Sequence, residues 1–394
     1  MIVRSKSPRI LYAVTVSSST MFFRGRLTFL KYRGFEIHIV SSPGPELYQI
    51  RQLEGVIIHP QQMKRKISFL SDFVSFFRAL HLVKRIRPDI IDAATPKAGL
   101  IFTIVGALCG VSCRVYSLWG LRLETVSGFM RFALTCLERI SCLCAHKVVC
   151  VSSSLKERAI ELKLGCPEKF VVIGSGGTGD IPLERFLLNE ETRQRIEILR
   201  QKFNLTPDCS LIIGFVGRIA RDKGISELVK SYFILRARFP FIKLLIIGPF
   251  DDVDPIDPLT MKLITSTPGI ITTGKIKYDD INLYYHLMDV LAFPTYREGF
   301  ANVCIEAAAS GKPVVTTNAT GARDTVIDGV TGFIMPVGNA QALADAIARI
   351  LENPVLAKKM GEAGRKRVNE KFQQEKYWKE ITQLYRELLA SENA

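Results

Sequence analysis

Short apolar runs alternate along the chain with longer stretches of mixed polarity. The first six are ILYAVTV (10–16), FEIHIVS (35–41), VIIH (56–59), DIID (89–92), RVYSL (114–118) and KVVCVS (147–152). Runs of this length, apolar on both faces, are what a parallel sheet covered by helices requires. A polar, helix-like bridge follows (188–210), and the series restarts with LIIGFVG (211–217), KLLIIG (243–248), IITTG (270–274), VLAFP (290–294) and PVVTT (313–317). The alternation predicts an α/β protein of two doubly wound domains, 1–185 and 186–374. Such sheets bind ligands outside the carboxyl ends of their strands, so two domains facing across a cleft would hold the active site there. From about Asn369, NEKFQQEKYWKEITQLYRELL reads as an amphipathic helix with no strand after it, and residues 375–394 are expected to return to the first domain.

Composition narrows the class. With 394 residues, 47% hydrophobic and 23% charged, the chain is neither disordered, collagenous nor a disulfide scaffold. Its net charge is +15, and residues 1–100 hold 16 Lys/Arg against 6 Asp/Glu. That excess predicts an anionic partner, whether nucleic acid, acidic lipid or a phosphorylated substrate, without choosing among them. Four of the nine cysteines (Cys136, Cys142, Cys144, Cys150) lack paired CxxC spacing and read as buried free thiols of a reducing compartment. The opening MIVRSKSPRILYAVTV reads as a first strand and not as a signal peptide, so a cytoplasmic location is expected. Ala98–Cys113 is uncharged over 16 residues. A bilayer-spanning helix needs roughly 20, so a core helix is expected.

Three segments carry candidate chemistry. GSGGTG (174–179) follows the strand FVVI and matches G-x-G-x-x-G, but DIPLERF comes next where a dinucleotide fingerprint opens a helix. It reads as a hinge or phosphate-facing turn. GFVGRIARDKG (214–224) ends a strand at the Gly217 turn and places Arg218 and Lys223 before a helix. A departing pyrophosphate needs fixed cations and backbone donors of this type, and two cations at a helix start oppose its dipole unless an anion sits between them. YREGFANVCIEAAASGKPVV (296–315) holds Glu298 in a loop and Glu306 in a helix beginning near Ala301. Ionised carboxylates accept pairs of sugar or ribose hydroxyls, and Gly299 lets backbone approach a ligand closely. The acidic run FDDVDPID (250–257) reads as a solvated loop and not as a metal site.

These residues, with the tail GVTGFIMP, resemble the nucleotide-sugar domain of family 4 retaining glycosyltransferases, best over residues 147–352. RKISFLSDF (65–73), TPKAGL (95–100), YSLWGLRLET (116–125) and VCVSSSLKERAIELKLG (149–165) are similar to the bacterial subgroup that builds capsular or lipid-linked oligosaccharides. The resemblance implies the GT-B fold of two Rossmann-like domains, retention of anomeric configuration and no obligatory metal or other cofactor. It implies that Arg218 and Lys223 hold the donor diphosphate, Glu298 the transferring sugar, the N–H groups of Phe300, Ala301 and Asn302 the sugar and phosphate, and Glu306 the ribose. The turn after the first strand, VSSSTMFF, lacks glycines, so Ser17 to Thr20 would face phosphates with hydroxyls. A family histidine is replaced here by Ala93, Ala94 or Trp119, with Glu124 or another group in its place if one is needed.

The expected activity is transfer of a hexosyl or N-acetylhexosaminyl unit from a nucleotide diphosphate sugar, UDP-linked, to a polyprenyl-diphosphate-linked glycan of a surface polysaccharide. The expected partners are that donor, the lipid-linked acceptor and the anionic inner membrane surface, with the protein peripheral on its cytoplasmic face. FRGRLTFLKYR (23–33), MKRK (63–66) and RALHLVKRIR (78–87) are the basic, apolar stretches that would meet the bilayer. A nucleotide-sugar epimerase of the same architecture is the alternative within the fold. A basic nucleic-acid-binding protein is the alternative outside it, but no helix-turn-helix, zinc or RNP signature supports it, and no nucleic-acid partner is expected.

Overall fold

Thirteen strands, all paired in parallel, form two sheets among the residues described by the computed structural model, which are 7–64, 68–179, 181–205 and 211–391. The first sheet holds β1 (Arg9–Ala13), β2 (Glu36–Ser41), β3 (Ile57–Pro60), β4 (Ile90–Ala94), β5 (Cys113–Leu118), β6 (Lys147–Cys150) and β7 (Phe170–Val172), in the order β3-β2-β1-β4-β5-β6-β7. The second holds β8 (Ile212–Val216), β9 (Lys243–Ile247), β10 (Ile270–Thr272), β11 (Val290–Phe293), β12 (Val314–Thr317) and β13 (Gly332–Met335), in the order β10-β9-β8-β11-β12-β13. The chain divides into two units, Met1–Asp180 with Gln374–Ala394, and Ile181–Gln373. Gly332–Met335 had not been expected as a strand; it closes the edge of the second sheet beside β12.

In the first unit, strand alternation separates two cores. Ile10, Tyr12 and Val14 pack with Leu27, Leu30, Leu47, Ile50 and Tyr385 on one face. Leu11, Ala13, Ile91 and Ala93 pack with Ala79, Leu82, Val83 and Phe102 on the other. Each fully buried Leu or Ile contributes roughly 1.5–3 kcal/mol. The uncharged segment is the helix Pro96–Leu108, with Ala98, Phe102 and Val105 buried. Its Gly99 is required, since a Cβ there would lie 2.3 Å from the Tyr116 ring. No helix among the described residues is long and apolar enough to cross a membrane. The basic stretches do not share a face: helix Arg26–Tyr32 covers the sheet opposite helix Phe69–Ile86. Arg26 is buried, with its guanidinium 4.7 Å from the Phe23 ring centroid and 5.3 Å from that of Tyr12. Of MKRK, residues 65 and 66 lie outside the described residues.

The last helix is Gln374–Ser391 and does not begin near Asn369, because Asn369 still belongs to the helix Pro354–Lys371. That helix is packed into the second unit, where a Cβ on Gly361 would lie 2.0 Å from the carbonyl oxygen of Gly311, so the chain must break before crossing back. Gln374–Ser391 is fastened to the first unit by polar contacts. Tyr385 donates to Asp92 at 2.5 Å and lies 2.9 Å from the Tyr12 hydroxyl, while Ser117 donates to Asp92 at 2.6 Å. Burial raises the Asp92 carboxyl, and the Arg26 guanidinium with the two hydroxyls offsets part of that. The GSGGTG run meets this same helix: Trp378 donates to the Gly179 carbonyl at 2.8 Å, and Gly174 N–H donates to Glu380 at 2.6 Å. No α-helix opens from the run; a short 3-10 turn, Leu183–Phe186, follows it.

Candidate active site

The order of the second sheet reverses between β8 and β11, and an open α/β sheet binds ligands at the crevice beside such a reversal. β8 leads through Gly217 and Arg218 into a 3-10 turn, Arg221–Lys223, and then helix Ile225–Arg236. β11 leads through Arg297 to Ala301 into helix Asn302–Ala309, so Glu298 stands in the loop and Glu306 on the helix, as expected from the spacing. The two loops touch backbone to backbone at Gly224, whose φ is +70° and where a Cβ would lie 2.0 Å from the Pro294 carbonyl oxygen. Only glycine fits there. The loop after β12 closes on the same place, with Glu298 N–H donating to Thr320 O at 3.0 Å.

Across this reversal the Lys223 ammonium forms an ion pair with the Glu298 carboxylate, the side chains being 12% and 17% exposed. Lys223 Nζ also lies 5.8 Å from the Phe293 ring centroid. Arg218 pairs with Asp251 and stands 4.0 Å from Asp222. Asp222 joins the loops. Its carboxylate accepts from Arg297 at 2.9 Å, its N–H donates to Asp254 at 3.1 Å, and its carbonyl accepts from Tyr296 N–H at 2.9 Å. Glu306 accepts the hydroxyl of Tyr285 at 2.6 Å. Burial, and next the Glu306 carboxylate, hold that phenol well above its ordinary pKa.

The acidic run is solvated only in part: Phe250, Asp252 and Val253 are exposed, whereas Asp251 is held. The side chain of Asp251 is 6% exposed, and its Oδ1 accepts from the N–H groups of Val253 at 2.8 Å and Asp254 at 2.9 Å. Burial alone would raise its pKa, but the Asp254 N–H and the Arg218 guanidinium, with the Val253 N–H, hold it down at about 2. Asp257 caps helix Pro258–Ser266 through Thr260 N–H at 2.9 Å. Asp251 is therefore fixed beside Arg218 by two backbone donors and the guanidinium, while Asp254 and Asp257 accept from the N–H groups of Asp222 and Thr260.

Other expected residues separate from this group. Ser17 belongs to the first unit, where its hydroxyl donates to Glu46 at 2.6 Å. Beside it Thr15 and Thr95 hydroxyls meet at 2.8 Å across the first sheet's own reversal, between β1 and β4. Asn302, by contrast, stays with the group at the start of helix Asn302–Ala309, and its N–H donates to the Phe300 carbonyl at 3.0 Å. Glu124 pairs with Arg158 at 3.4 Å, and Trp119 packs on Phe22 and Phe23. His38 pairs with His59, His146 with Arg114, and His286 with the Phe186 carbonyl. Asp222, Tyr285 and Arg297 were not anticipated; Asp222 and Arg297 are each the chain neighbour of an anticipated residue, which was the only signal. Among the described residues no cluster of three or more His, Cys, Asp or Glu is arranged to hold a metal ion.

A doubly wound sheet whose reversal carries a cation, a carboxylate and glycine-tight loops belongs to the class that holds ligands at such a crevice, and comparison with known proteins makes it particular. Residues 183–367 match the family model for glycosyl transferases group 1, and residues 9–152 that for glycosyl transferase 4-like proteins. The capsular polysaccharide biosynthesis glycosyltransferase CapM of Staphylococcus aureus is 38% identical over 98% of both chains. The chain belongs to the glycosyl transferases group 1 family and is a glycosyltransferase. The UDP-Gal:alpha-D-GlcNAc-diphosphoundecaprenol alpha-1,3-galactosyltransferase of Escherichia coli is 24% identical over 74% of both chains. A crystal structure of Anabaena Alr3699/HepE in complex with UDP-glucose shares the fold, with a TM-score of 0.77, 19% identity and coverage of 97% and 99% of the two chains.

Proposed function

We propose that the protein is a retaining glycosyltransferase that moves a hexosyl or N-acetylhexosaminyl unit from a UDP-sugar to a polyprenyl-diphosphate-linked glycan during surface polysaccharide synthesis. It works from the cytoplasmic side, peripheral on the anionic inner face of the plasma membrane. The carrying observation is the juxtaposition of Lys223 and Glu298 at the reversal of the second sheet. One loop supplies positive charge for a diphosphate and the other, in contact with it, a carboxylate for sugar hydroxyls. CapM and the galactosyltransferase, whose names speak of capsule and of a diphosphoundecaprenol-linked sugar, support the acceptor class.

In this reading the second unit binds the donor and the first the acceptor. Arg218 and Lys223 neutralise the diphosphate, which leaves as the sugar–oxygen bond breaks. The charge they stabilise grows toward the transition state, so the contribution falls on the chemical step. Glu298 orients the sugar through its hydroxyls and Glu306 the ribose, while backbone at Gly217 and from Gly299 to Asn302 approaches phosphate and sugar closely. Ser17 offers its hydroxyl from the first unit. The acceptor oxygen attacks the anomeric carbon from the face that the diphosphate leaves, and the departing phosphate oxygen takes its proton, so no side-chain base and no metal is needed. The deciding experiment incubates the protein with a panel of nucleotide sugars and lipid-linked acceptors, reading UDP release and the anomeric configuration of the product by NMR. Release that does not depend on acceptor, or an inverted product, overturns the proposal.

A further inference from the structure

The first unit carries a helix whose polarity is inside out. Gly128–Cys144 turns Glu138, Ser141 and Cys142 inward, while Phe129 and Phe132 are 82% and 64% exposed. Its inner side is fixed by Tyr116 of β5, which donates to Glu138 at 2.8 Å. Helix Phe69–Ile86 lies on the same side of the sheet, across the helix Pro96–Leu108. It too leaves aromatic rings in water: Phe73 and Phe77 are 65% and 50% exposed and meet at 4.7 Å, edge to face. They help line a groove of about 760 Å³, together with His59, Gln61, Arg78 and Arg85. Large apolar rings exposed together on one layer mark a surface that something covers.

Charge identifies the cover. The same two helices expose Arg78, Lys84, Arg85, Arg131 and Arg139, the last donating to the Leu162 and Lys163 carbonyls. The three helices of the layer hold two acids: Asp72, which accepts from Lys97 at 2.6 Å, and Glu138, which is buried. A second copy docked by two-fold symmetry would set these cations against one another. A bilayer with acidic headgroups takes both features, since aromatic side chains enter the headgroup boundary and each cation contributes about 1 kcal/mol.

We propose that this three-helix layer seats the protein on anionic phospholipid, with Phe73, Phe77, Phe129 and Phe132 in the headgroup region and the arginines on phosphates. The inference rests on the membrane-linked reading above and names its surface, which excludes the helix Arg26–Tyr32 on the opposite face. The full chain is sedimented with phosphatidylglycerol/phosphatidylcholine vesicles and with phosphatidylcholine alone. Binding is expected only to the anionic vesicles and weakens with salt. Arg78→Gln with Arg131→Gln removes two attractive cations, which at about 1 kcal/mol each is roughly a thirtyfold loss. Phe129→Ser with Phe132→Ser lowers binding by at least tenfold, while Arg33→Glu, on the other face, leaves it unchanged. An unchanged thermal midpoint and circular-dichroism spectrum in every variant show that the first unit is intact, and UDP binding is measured alongside: its absence from the unaltered protein sinks the donor assignment and leaves the vesicle result standing. Equal binding to neutral vesicles, no response to the substitutions, or a dimer in solution that Phe129→Ser dissolves overturns the proposal.

Discussion

Lys223 and Glu298 lie 75 residues apart in the chain and form an ion pair where the second sheet reverses direction. Each end of the pair carries a different task in the proposed reaction, and each is held by a separate loop. Substitutions at the two ends therefore have separable effects.

Glu298→Ala removes the sugar's partner while the diphosphate clamp stays. Transfer is expected to fall by about 100-fold or more, the scale of losing one group that orients or stabilises the reacting centre. UDP affinity, measured by calorimetry, stays within a few-fold of the unaltered protein. Equal loss of both would place Glu298 on the nucleotide instead.

Arg218→Ala and Lys223→Ala are expected to weaken UDP binding together. A charge-assisted hydrogen bond contributes about 1.5–3 kcal/mol, so each loss is roughly 10- to 100-fold. Full activity in either variant removes the phosphate clamp. Asp251 and Glu298 then keep carboxylates without their cations, so a modest drop in thermal midpoint accompanies both changes.

Tyr285→Phe tests the ribose assignment without touching a ligand-facing group. The buried phenol is the donor that holds Glu306 at 2.6 Å. Its loss is expected to raise the donor KM about tenfold with kcat reduced less than twofold, the pattern of lost uniform binding. The reverse pattern, low kcat at unchanged KM, would contradict a binding role.

Glu138 gives the first unit a pH signature. Burial pushes its carboxyl from 4.5 up to about 7. Between those values the folded state holds a proton that the unfolded state has lost. Stability therefore declines as pH rises from about 4.5 through about 7 and levels off above. Glu138→Gln, which keeps an acceptor for Tyr116, removes this slope and is more stable at pH 8 by up to roughly 3 kcal/mol, at about 1.4 kcal/mol per pKa unit. Urea denaturation at pH 5 and pH 8 reads the difference; identical slopes in both proteins would sink the assignment.

Most strands were legible because parallel strands are apolar on both faces and stand out as short runs. Gly332–Met335 was not, since it opens on a glycine and only two of its residues are buried. The helix and loop placements of Glu306 and Glu298 followed from spacing, but their pairing with Tyr285 and Lys223 is tertiary and left no local trace. Charged residues misled in both directions. Arg26 looked like surface and is buried against aromatic rings, and Asp251 looked solvated and is held by backbone donors. Helix Gly128–Cys144 shows why: periodicity defines a stripe, and only the neighbouring Tyr116 decides which stripe turns inward.

The helix Gln374–Ser391 completes a core whose other members precede residue 180. On the ribosome, the first unit therefore waits for its last wall until all of Ile181–Gln373 has been made. Until then Asp92 lacks the Tyr385 hydroxyl and the aromatic pocket around Arg26 stands open on one side. The second unit, continuous in the chain, can finish folding first, so a stalled or truncated product carries a finished donor half beside an unfinished, sticky one, the kind of species that chaperones and proteases act on.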